Sequence, residues 1–205
     1  MNAIDEMVRL FKRLPGMGEK SATRLCYYLL KADASFVESL GNGILSLKRR
    51  ITLCPVCGAF IDESGCPYCD DEGRDKGTIC VVEEPQDVMT ITQAGIYNGL
   101  FHVLGGCINP LQGMGPGKLR LKELDERVRK GTVREVIIAT NPTEEGDTTA
   151  LYIRSMLKDV PGLKISRLAS GLPIGGDLGY ADKTTLIRSM RGRIDYSPSV
   201  PDKEN

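Results

Sequence analysis

Four of the seven cysteines in this 205-residue chain are grouped into two C-x2-C pairs. Cys54 and Cys57 form the first pair, and Cys66 and Cys69 form the second after eight intervening residues. This spacing allows four thiolates to reach the tetrahedral positions around one ion. Because no coordination position is left open, the pattern predicts one structural zinc ion rather than a catalytic one. A redox or disulfide pair and an iron–sulfur cluster are the alternatives.

Acidic residues follow two runs that have the composition of buried strands. Glu83 and Glu84 come directly after one run, and Glu145 and Asp147 follow another. The carboxyl ends of parallel strands meet at one edge of a sheet, so we expect these side chains to converge. Clustered carboxylates at such an edge suggest Mg²⁺ and phosphoryl transfer. The alternative is that they are solvated loop residues or charges at a helix N-terminus.

The segment 14–22, LPGMGEKSA, resembles the hairpin of the helix-hairpin-helix motif. Gly16 and Gly18 permit a tight turn, after which the first N–H groups of the next helix can face a phosphate. Lys20 and Arg24 share one face of that helix because they are four residues apart. The preceding helix carries three more basic residues, Arg9, Lys12 and Arg13. We therefore expect sequence-independent, salt-sensitive DNA binding, with an ordinary helix–helix connection as the alternative.

The elements that must position these residues fall into four segments. Residues 1–53 are helical by their apolar spacing, and residues 54–76 are too short and polar to build a core without a metal. Residues 77–170 alternate strand and helix signals, which predicts a parallel sheet with helices on its faces. Residues 171–205 form a loop, a helix and a tail after Asp195 that we expect to be disordered. The predicted fold class is therefore multi-module α/β: a helical head, a four-cysteine finger, a parallel α/β domain and a C-terminal loop–helix segment.

Individual elements follow from the same patterns. A break at Pro15–Gly16 separates the first two helices, and two further apolar runs follow at 36–40 and 44–47. Strands are predicted at 78–82, 100–104, 135–140 and 163–168, and helices at 119–130, 148–157 and 181–191. His102 lies within a strand, so we expect a buried histidine rather than a ligand. Three other thiols are expected in the core: Cys26, Cys80 and Cys107.

Charge is balanced over the whole chain but not along it. Lys and Arg number 27, as do Asp and Glu, so no global basic field indicates a nucleic-acid partner. Residues 1–53 carry nine basic and five acidic side chains, a net charge of +4, whereas residues 54–87 carry two and nine, a net charge of −7. This division predicts two surfaces with different partners. The acidic N-terminus and the lack of a long apolar run argue against a signal peptide or a membrane span, so we expect a cytoplasmic protein.

Residues 77–170 resemble a Toprim domain, the module of type I topoisomerases, primases and some nucleases. The Toprim pattern places a Glu after the first strand and an Asp-x-Asp after the third. Glu83 matches the Glu, but Asn141 and Thr143 stand at the two Asp positions. Two neutral groups thus replace anionic ligands, which disfavours a catalytic magnesium site, although Glu145 and Asp147 keep acid nearby.

The order of hairpin, four-cysteine finger and Toprim-like domain closely resembles the RecR family of bacterial recombination mediators. The resemblance extends to about Asp195. It is carried by the strings LPGMGEKSA, CPVCGAFIDESGCPYC, CVVEEPQD, LGGCINPLQGMGP, IIATNPTEEGD and ASGLPIGGDLGYAD. Together these strings are far more specific than the hairpin alone.

The RecR resemblance implies a non-catalytic DNA clamp and adaptor in recombinational repair. Members act with RecO and RecF, help load RecA onto single-stranded DNA coated by single-strand-binding protein, and form ring-like tetramers or dimers. By this resemblance Lys20 and Arg24 would bind DNA, the four-cysteine cluster would hold zinc, and the chain would be found in the bacterial cytoplasm with the nucleoid. The acidic edge would be a surface for RecO or RecF, through Glu83, Glu84, Glu145 and Asp147, with a contact between subunits as the alternative role for these acids.

Two other functions fit part of the pattern. A Toprim enzyme that nicks or relaxes DNA needs a magnesium site and, if it works as a topoisomerase, a nucleophile. No local pattern marks Tyr97, Tyr152 or Tyr180 as activated. A zinc-stabilised protein-interaction module with incidental DNA contact is the third possibility, and loss of DNA binding on replacing Lys20 and Arg24 separates the clamp from it.

Overall fold

The computed structural model describes residues 2–194. The chain divides between Thr52 and Leu53 into two compact units. The tail after Asp195, for which the composition predicts disorder, lies outside the described residues.

The N-terminal unit consists of three helices: α1 (Ala3–Phe11), α2 (Glu19–Lys31) and α3 (Ala34–Arg50). A capping box begins α1, because the Asn2 side chain accepts a hydrogen bond from the Asp5 N–H and the Asp5 carboxylate accepts one from the Asn2 N–H. The α1 and α2 helices pack against each other. Cys26 on α2 is buried, as predicted.

The two apolar runs predicted after α2 are parts of one continuous helix, α3. Gly41 and Gly43 lie between the runs, and a glycine weakens a helix by up to about 1 kcal/mol without ending it. No residue of α3 is buried within its unit. Large apolar side chains of this helix are instead exposed: Phe36, Leu40, Ile44, Leu45 and Leu47.

The four-cysteine segment has little regular secondary structure. Two short strands, β1 (Thr52–Leu53) and β2 (Phe60–Ile61), pair beside the first cysteine pair. Cys54, Cys57 and Cys66 are themselves buried, together with Ala59. The segment has few other buried side chains, so it gains little stability from apolar burial of its own.

A four-stranded parallel sheet forms the centre of the second unit, which confirms the predicted sheet. Its strands are β3 (Asp75–Val82), β4 (Gly99–Val103), β5 (Glu135–Ile138) and β6 (Lys164–Arg167). Their spatial order is β4-β3-β5-β6. The third predicted strand was expected to reach residue 140, but it ends at Ile138 and leaves the next residues free to form the loop at the sheet edge.

In the part of this unit that the structure describes, four α-helices accompany the sheet: α4 (Pro85–Gln93), α5 (Leu121–Arg129), α6 (Glu144–Leu157) and α7 (Lys183–Arg191). The sequence prediction omitted α4, although Pro85 occupies its first turn and the Asp87 carboxylate accepts a hydrogen bond from the Glu84 N–H at 2.8 Å. Proline at the start and an acid at the third position are typical helix-start signals. The prediction also began α6 four residues too late, at Thr148.

The sheet separates two cores because successive residues of β3 point to opposite faces. Ile79 and Val81 pack with the apolar residues of α5 and α6. Cys80 and Val82 pack with Val88 of α4 and with the four-cysteine segment. Burial of Cys80 is as predicted, and the finger thus shares a core with the sheet that carries the acidic edge.

Candidate functional site

The four predicted metal ligands are brought together. Their sulfur atoms all lie within 4.8 Å of one another, with Cys57 and Cys66 Sγ 3.6 Å apart and Cys54 and Cys69 Sγ 3.9 Å apart. A tetrahedral zinc ion with Zn–S bonds of about 2.3 Å needs sulfur–sulfur separations of roughly 3.8 Å. The cluster therefore has the dimensions of a closed tetrathiolate metal site.

The thiols of this cluster influence each other's ionisation strongly. Hydrogen bonding from Cys69 lowers the pKa of Cys57 to about 5, despite its burial. Burial, with the neighbouring Cys57, raises the pKa of Cys66 to about 11. The pKa of Cys69 is also raised, first by its hydrogen bond to Cys57 and then by burial. Four thiolates in one small volume would repel one another, and a metal ion bound among them would supply the compensating positive charge.

Arg120 ties the finger to the sheet. Its Nη2 donates hydrogen bonds to the carbonyl oxygens of Pro55 at 2.7 Å and Val56 at 3.2 Å, inside the first C-x2-C turn. A side chain at Gly58 would collide with this guanidinium, and Gly58 also has a φ of +78° that favours glycine. The Val103 N–H donates to the Cys57 carbonyl at 2.7 Å, which fixes the turn against β4.

His102 is fully buried on β4, as predicted. Its Nε2 lies 2.7 Å from the Arg120 carbonyl oxygen, and its Nδ1 lies 3.1 Å from Nη1 of Arg127. Because a guanidinium only donates, Nδ1 accepts and Nε2 carries the proton. Burial lowers the pKa of His102 to about 3, so the imidazole is neutral.

The hairpin between α1 and α2 is a tight turn that leads into an uncapped helix. Gly16 has a φ of +75°, which side chains disfavour. Gly18 precedes α2 without any side-chain cap on the helix, so its first N–H groups are available to an external acceptor. Lys20 and Arg24 are exposed on this helix.

The basic residues of α1 differ in their surroundings. Arg9, Lys12 and Arg13 are all exposed. Lys12 forms an ion pair with Glu19 at 2.5 Å, which links the end of α1 to the start of α2. The Lys12 ammonium also lowers the pKa of the Glu19 carboxyl.

At the carboxyl edge of the sheet, Glu83 is buried and held by Asn141. Its Oε1 accepts from the Asn141 backbone N–H at 2.9 Å, and its Oε2 accepts from the Asn141 side-chain amide at 2.8 Å. Thr143 caps α6, since its hydroxyl accepts from the Gly146 N–H at 3.1 Å. Both neutral residues at the Asp-x-Asp positions therefore have structural partners.

The other acids at this edge are separate from Glu83. Glu84 is exposed at the start of α4, and Glu145 is partly buried, with its Oε1 3.4 Å from the Asn109 amide nitrogen. Asp147 forms ion pairs of 2.6 Å with Arg167 on β6 and with Arg188 on α7. Among residues 2–194, the four cysteines are the one group of three or more Cys, His, Asp or Glu placed to share a metal ion. The acids lie at one edge, as predicted, but they do not converge on a magnesium site.

Cys107 lies beside these acids rather than in the core, where the sequence analysis placed it. It is only partly buried. Burial, and then the negative charges of Glu83 and Glu145, raise the pKa of this thiol. Its apolar sequence neighbours misled the prediction, because the loop that follows β4 carries it to the sheet edge.

Three models of known protein families match the chain. The RecR helix-hairpin-helix model matches residues 4–47, the Toprim domain model matches residues 77–169, and the RecR C-terminal model matches residues 171–194. Proteins named recombination protein RecR are similar over almost the whole chain. One from Treponema denticola is 53% identical over 96% of this chain and 100% of its own length. This chain belongs to the RecR family.

Other RecR proteins give the same result. The one from Treponema pallidum is 53% identical over 93% of this chain and 94% of its own length. The one from Thermobifida fusca is 50% identical over 94% of each. The family that the order of motifs predicted is thus confirmed. In the described part of this RecR-family chain, no helix has the length and apolar character needed to cross a membrane.

Several residues that build the sites of this RecR-family protein were not predicted. Arg120 and Arg127 form hydrogen bonds with residues that are 18 to 65 positions away in the sequence. Arg188 pairs with Asp147, which is 41 positions away. Gly146 allows α6 to start against the Asn141 carbonyl, which a side chain there would strike. A glycine inside the first turn of a helix was the only local signal for any of them.

Proposed function

We propose that this protein is a non-catalytic DNA-binding adaptor in recombinational repair. The observation that carries the proposal is the hairpin, in which an uncapped helix start and the exposed Lys20 and Arg24 lie together. Helix N-termini and basic side chains bind phosphate without reading bases. The DNA-contact set is Gly16, Gly18, Lys20, Arg24, Arg9, Lys12 and Arg13.

The cysteine cluster is proposed to hold one structural zinc ion per chain. Sulfur–sulfur separations of 3.6 and 3.9 Å suit a tetrahedral ion, and no position is left for a substrate. Zinc would supply the folding free energy that a segment with few apolar side chains lacks.

A homo-oligomer, either a tetramer or a dimer, is proposed as the DNA-binding form. A single hairpin neutralises few phosphates, and several copies around one DNA add binding through effective concentration. The exposed apolar residues of α3 support assembly, since a patch of this kind is typical of an interface. An open apolar groove of about 270 Å³, lined in part by Met7, Leu30 and Val37, adds to the same surface.

RecO and RecF are the proposed partners, and the acidic edge is their proposed surface. Glu84 is exposed, whereas Glu145 and Asp147 are partly buried and Glu83 is buried. The Glu83 carboxylate is hydrogen-bonded to Asn141, and the Asp147 carboxylate is paired with two arginines. We therefore expect Glu83 and Asp147 to support the structure of this surface rather than to contact a partner directly. With these partners the protein would help load RecA onto single-stranded DNA coated by single-strand-binding protein.

DNA binding is tested with Lys20→Ala/Arg24→Ala in a fluorescence-anisotropy titration of a labelled single-stranded oligonucleotide. We expect affinity at low salt to fall at least about tenfold and the dependence of log K on log salt to become shallower by about two units. Lys31→Ala, an exposed change at the other end of α2, is the control and should bind normally. Unchanged affinity in the double variant would remove the hairpin from the proposal.

Absence of catalysis is tested by incubating the protein with supercoiled plasmid and Mg²⁺ beside a Glu83→Ala variant. The proposal expects no nicking or relaxation at concentrations that retard the plasmid. Cleavage or relaxation that depends on Glu83 would show a working metal site and a Toprim enzyme instead.

A further inference from the structure

The proposed zinc centre creates a charge that the protein must balance. Four thiolates around one divalent ion carry a net charge of about −2. Cys54, Cys57 and Cys66 are buried against Phe101 and Val103. A buried anion is costly unless a cation lies close to it.

Three arginines surround this part of the core, and two of them have carboxylates of their own. Arg74 lies over the Tyr68 ring, 5.1 Å from its centroid, and 3.7 Å from the Asp71 carboxylate. Arg120, which is hydrogen-bonded to the first C-x2-C turn, has its guanidinium Nε 3.7 Å from the Glu123 carboxylate. Their charges are therefore at least partly compensated without the metal.

Arg127 differs from both. Its Nη1 donates to the Phe101 carbonyl oxygen at 2.8 Å and to His102 Nδ1 at 3.1 Å, both neutral acceptors. Within residues 2–194 no carboxylate oxygen lies within 4.0 Å of this partly buried guanidinium. A guanidinium in such a position needs an anion, and the two hydrogen bonds fix it beside the finger that Phe101 packs against.

The electrostatic interactions of Arg127 point to the same anion. Burial lowers the pKa of Arg127, and the negative charges of Cys69, Cys57 and Cys54 oppose that shift. Negative charge at the cysteine cluster is thus favourable for the guanidinium.

We propose that Arg127 is the counter-charge of the tetrathiolate zinc centre, held in place by Phe101 and His102. This inference rests on the zinc site proposed above. Arg127 favours the fully ionised, metal-loaded cluster, and in the metal-free protein it becomes a buried cation without an anion. Zinc binding is therefore linked to the stability of the sheet through this side chain.

The test compares wild type with Arg127→Met in the full-length chain. Zinc affinity is measured by competition with a chromogenic chelator under reducing conditions, and thermal midpoints are measured for metal-loaded and metal-free protein. We expect Arg127→Met to bind zinc about 10 to 100-fold more weakly, the usual effect of removing a group that supports metal ligands. We also expect Arg127→Met to lower the thermal midpoint of the metal-loaded protein more than that of the metal-free protein, because both forms lose the hydrogen bonds to Phe101 and His102 but only the loaded form loses a counter-charge.

Two variants separate charge from packing. Arg127→Lys keeps the charge and should retain zinc affinity within about threefold, whereas Arg129→Met, an exposed change on the same helix, should leave it unaltered. The role of Arg127 would be overturned if Arg127→Met bound zinc as tightly as wild type, or if its metal-loaded and metal-free forms lost equal stability. It would also be overturned if Arg127→Lys bound zinc as weakly as Arg127→Met. Failure of wild type to bind zinc at all would overturn the metal site itself.

Discussion

Glu83 and Asn141 form a closed pair in which both carboxylate oxygens accept hydrogen bonds from the one asparagine, at 2.9 and 2.8 Å. Asn141 stands where the Toprim pattern has the first aspartate. The neutral amide donates to the carboxylate that an aspartate would repel. The substitution therefore converts a metal-ligand position into a hydrogen-bond donor that stabilises the sheet edge.

Asn141→Asp should destabilise the protein at neutral pH, because it places a second carboxylate against a buried one. We expect a loss of about 1–3 kcal/mol in the free energy of unfolding. The introduced aspartate should take up a proton on mild acidification, so the deficit should shrink between pH 7.5 and pH 5.5. Urea unfolding followed by circular dichroism measures both effects.

The double variant Glu83→Gln/Asn141→Asp is the matched control for that prediction. It reverses the polarity of the pair, since the glutamine amide can now donate to the aspartate. We expect it to regain most of the lost stability and to lose the pH dependence. If the single variant were as stable as wild type at every pH, the pair would not contribute to the edge as described.

Gly16 and Gly18 should respond differently to substitution, although both face open space. Gly16→Ala places a side chain at a φ of +75° and should cost about 1–2 kcal/mol in the stability of the hairpin. Gly18→Ser keeps a φ of −80° and adds a helix cap, so it should be neutral or slightly stabilising. Hydrogen exchange of the α2 amides measures the local stability of each variant.

The same serine should weaken DNA binding. Its hydroxyl would accept a hydrogen bond from the first turn of α2 and would compete there with a phosphate. We expect Gly18→Ser to be stable but to bind DNA with lower affinity in the anisotropy titration. If the hairpin were an ordinary helix–helix connection, the variant would gain stability and bind DNA as tightly as wild type.

Removal of the proposed zinc ion should expose the thiols of the finger in particular. In the loaded protein we expect a thiol reagent to modify Cys107, which is only partly buried, and to spare the buried Cys26 and Cys80. A strong chelator should make four further thiols reactive, one for each ligand. Reaction of the four at the same rate with and without chelator would contradict a metal-bound cluster.

The parts of the fold that could be predicted are those with a local signal. The cysteine spacing, the glycine-rich hairpin and the strand at 78–82 each depend on neighbours a few residues away, and all correspond to observed features. Contacts between residues far apart in the sequence could not be predicted, because residue spacing carries information only about near neighbours along the chain. Nothing in the sequence near Asp147 indicates that Arg188, on the last described helix, neutralises it.

Asp147 should therefore matter for the attachment of α7 as well as for the acidic edge. It pairs with Arg167 and Arg188 at 2.6 Å each, and the three side chains are about one-third exposed. Asp147→Asn should cost on the order of 1 kcal/mol, allowing for solvent screening of these partly exposed pairs. The loop before α7 should become more sensitive to chymotrypsin, which can cleave after Tyr180. Arg134→Gln, which removes an exposed pair with Asp75, should leave that cleavage unchanged.

His102 should make the stability of the protein depend on pH below about 6.5. Its pKa is about 3 in the folded chain, against about 6.5 for a solvated histidine, so the unfolded chain binds the proton more readily. The contribution of His102 to stability should be constant well above pH 6.5 and fall as the pH drops toward 3, by about 2 kcal/mol between pH 7 and pH 5.

Because the chain has one histidine, a single variant tests the assignment. His102→Gln keeps a donor for the Arg120 carbonyl but cannot be protonated, so it should be less stable at pH 7 yet lose less stability on acidification. Only pH values at which both proteins retain their metal are compared, because His102 also positions Arg127 beside the proposed zinc centre. If the free energies of unfolding of the two proteins changed in parallel between pH 7 and pH 5, the difference in proton binding between the folded and unfolded chain would come from other groups. His102 would then not be held neutral by its burial between Arg120 and Arg127.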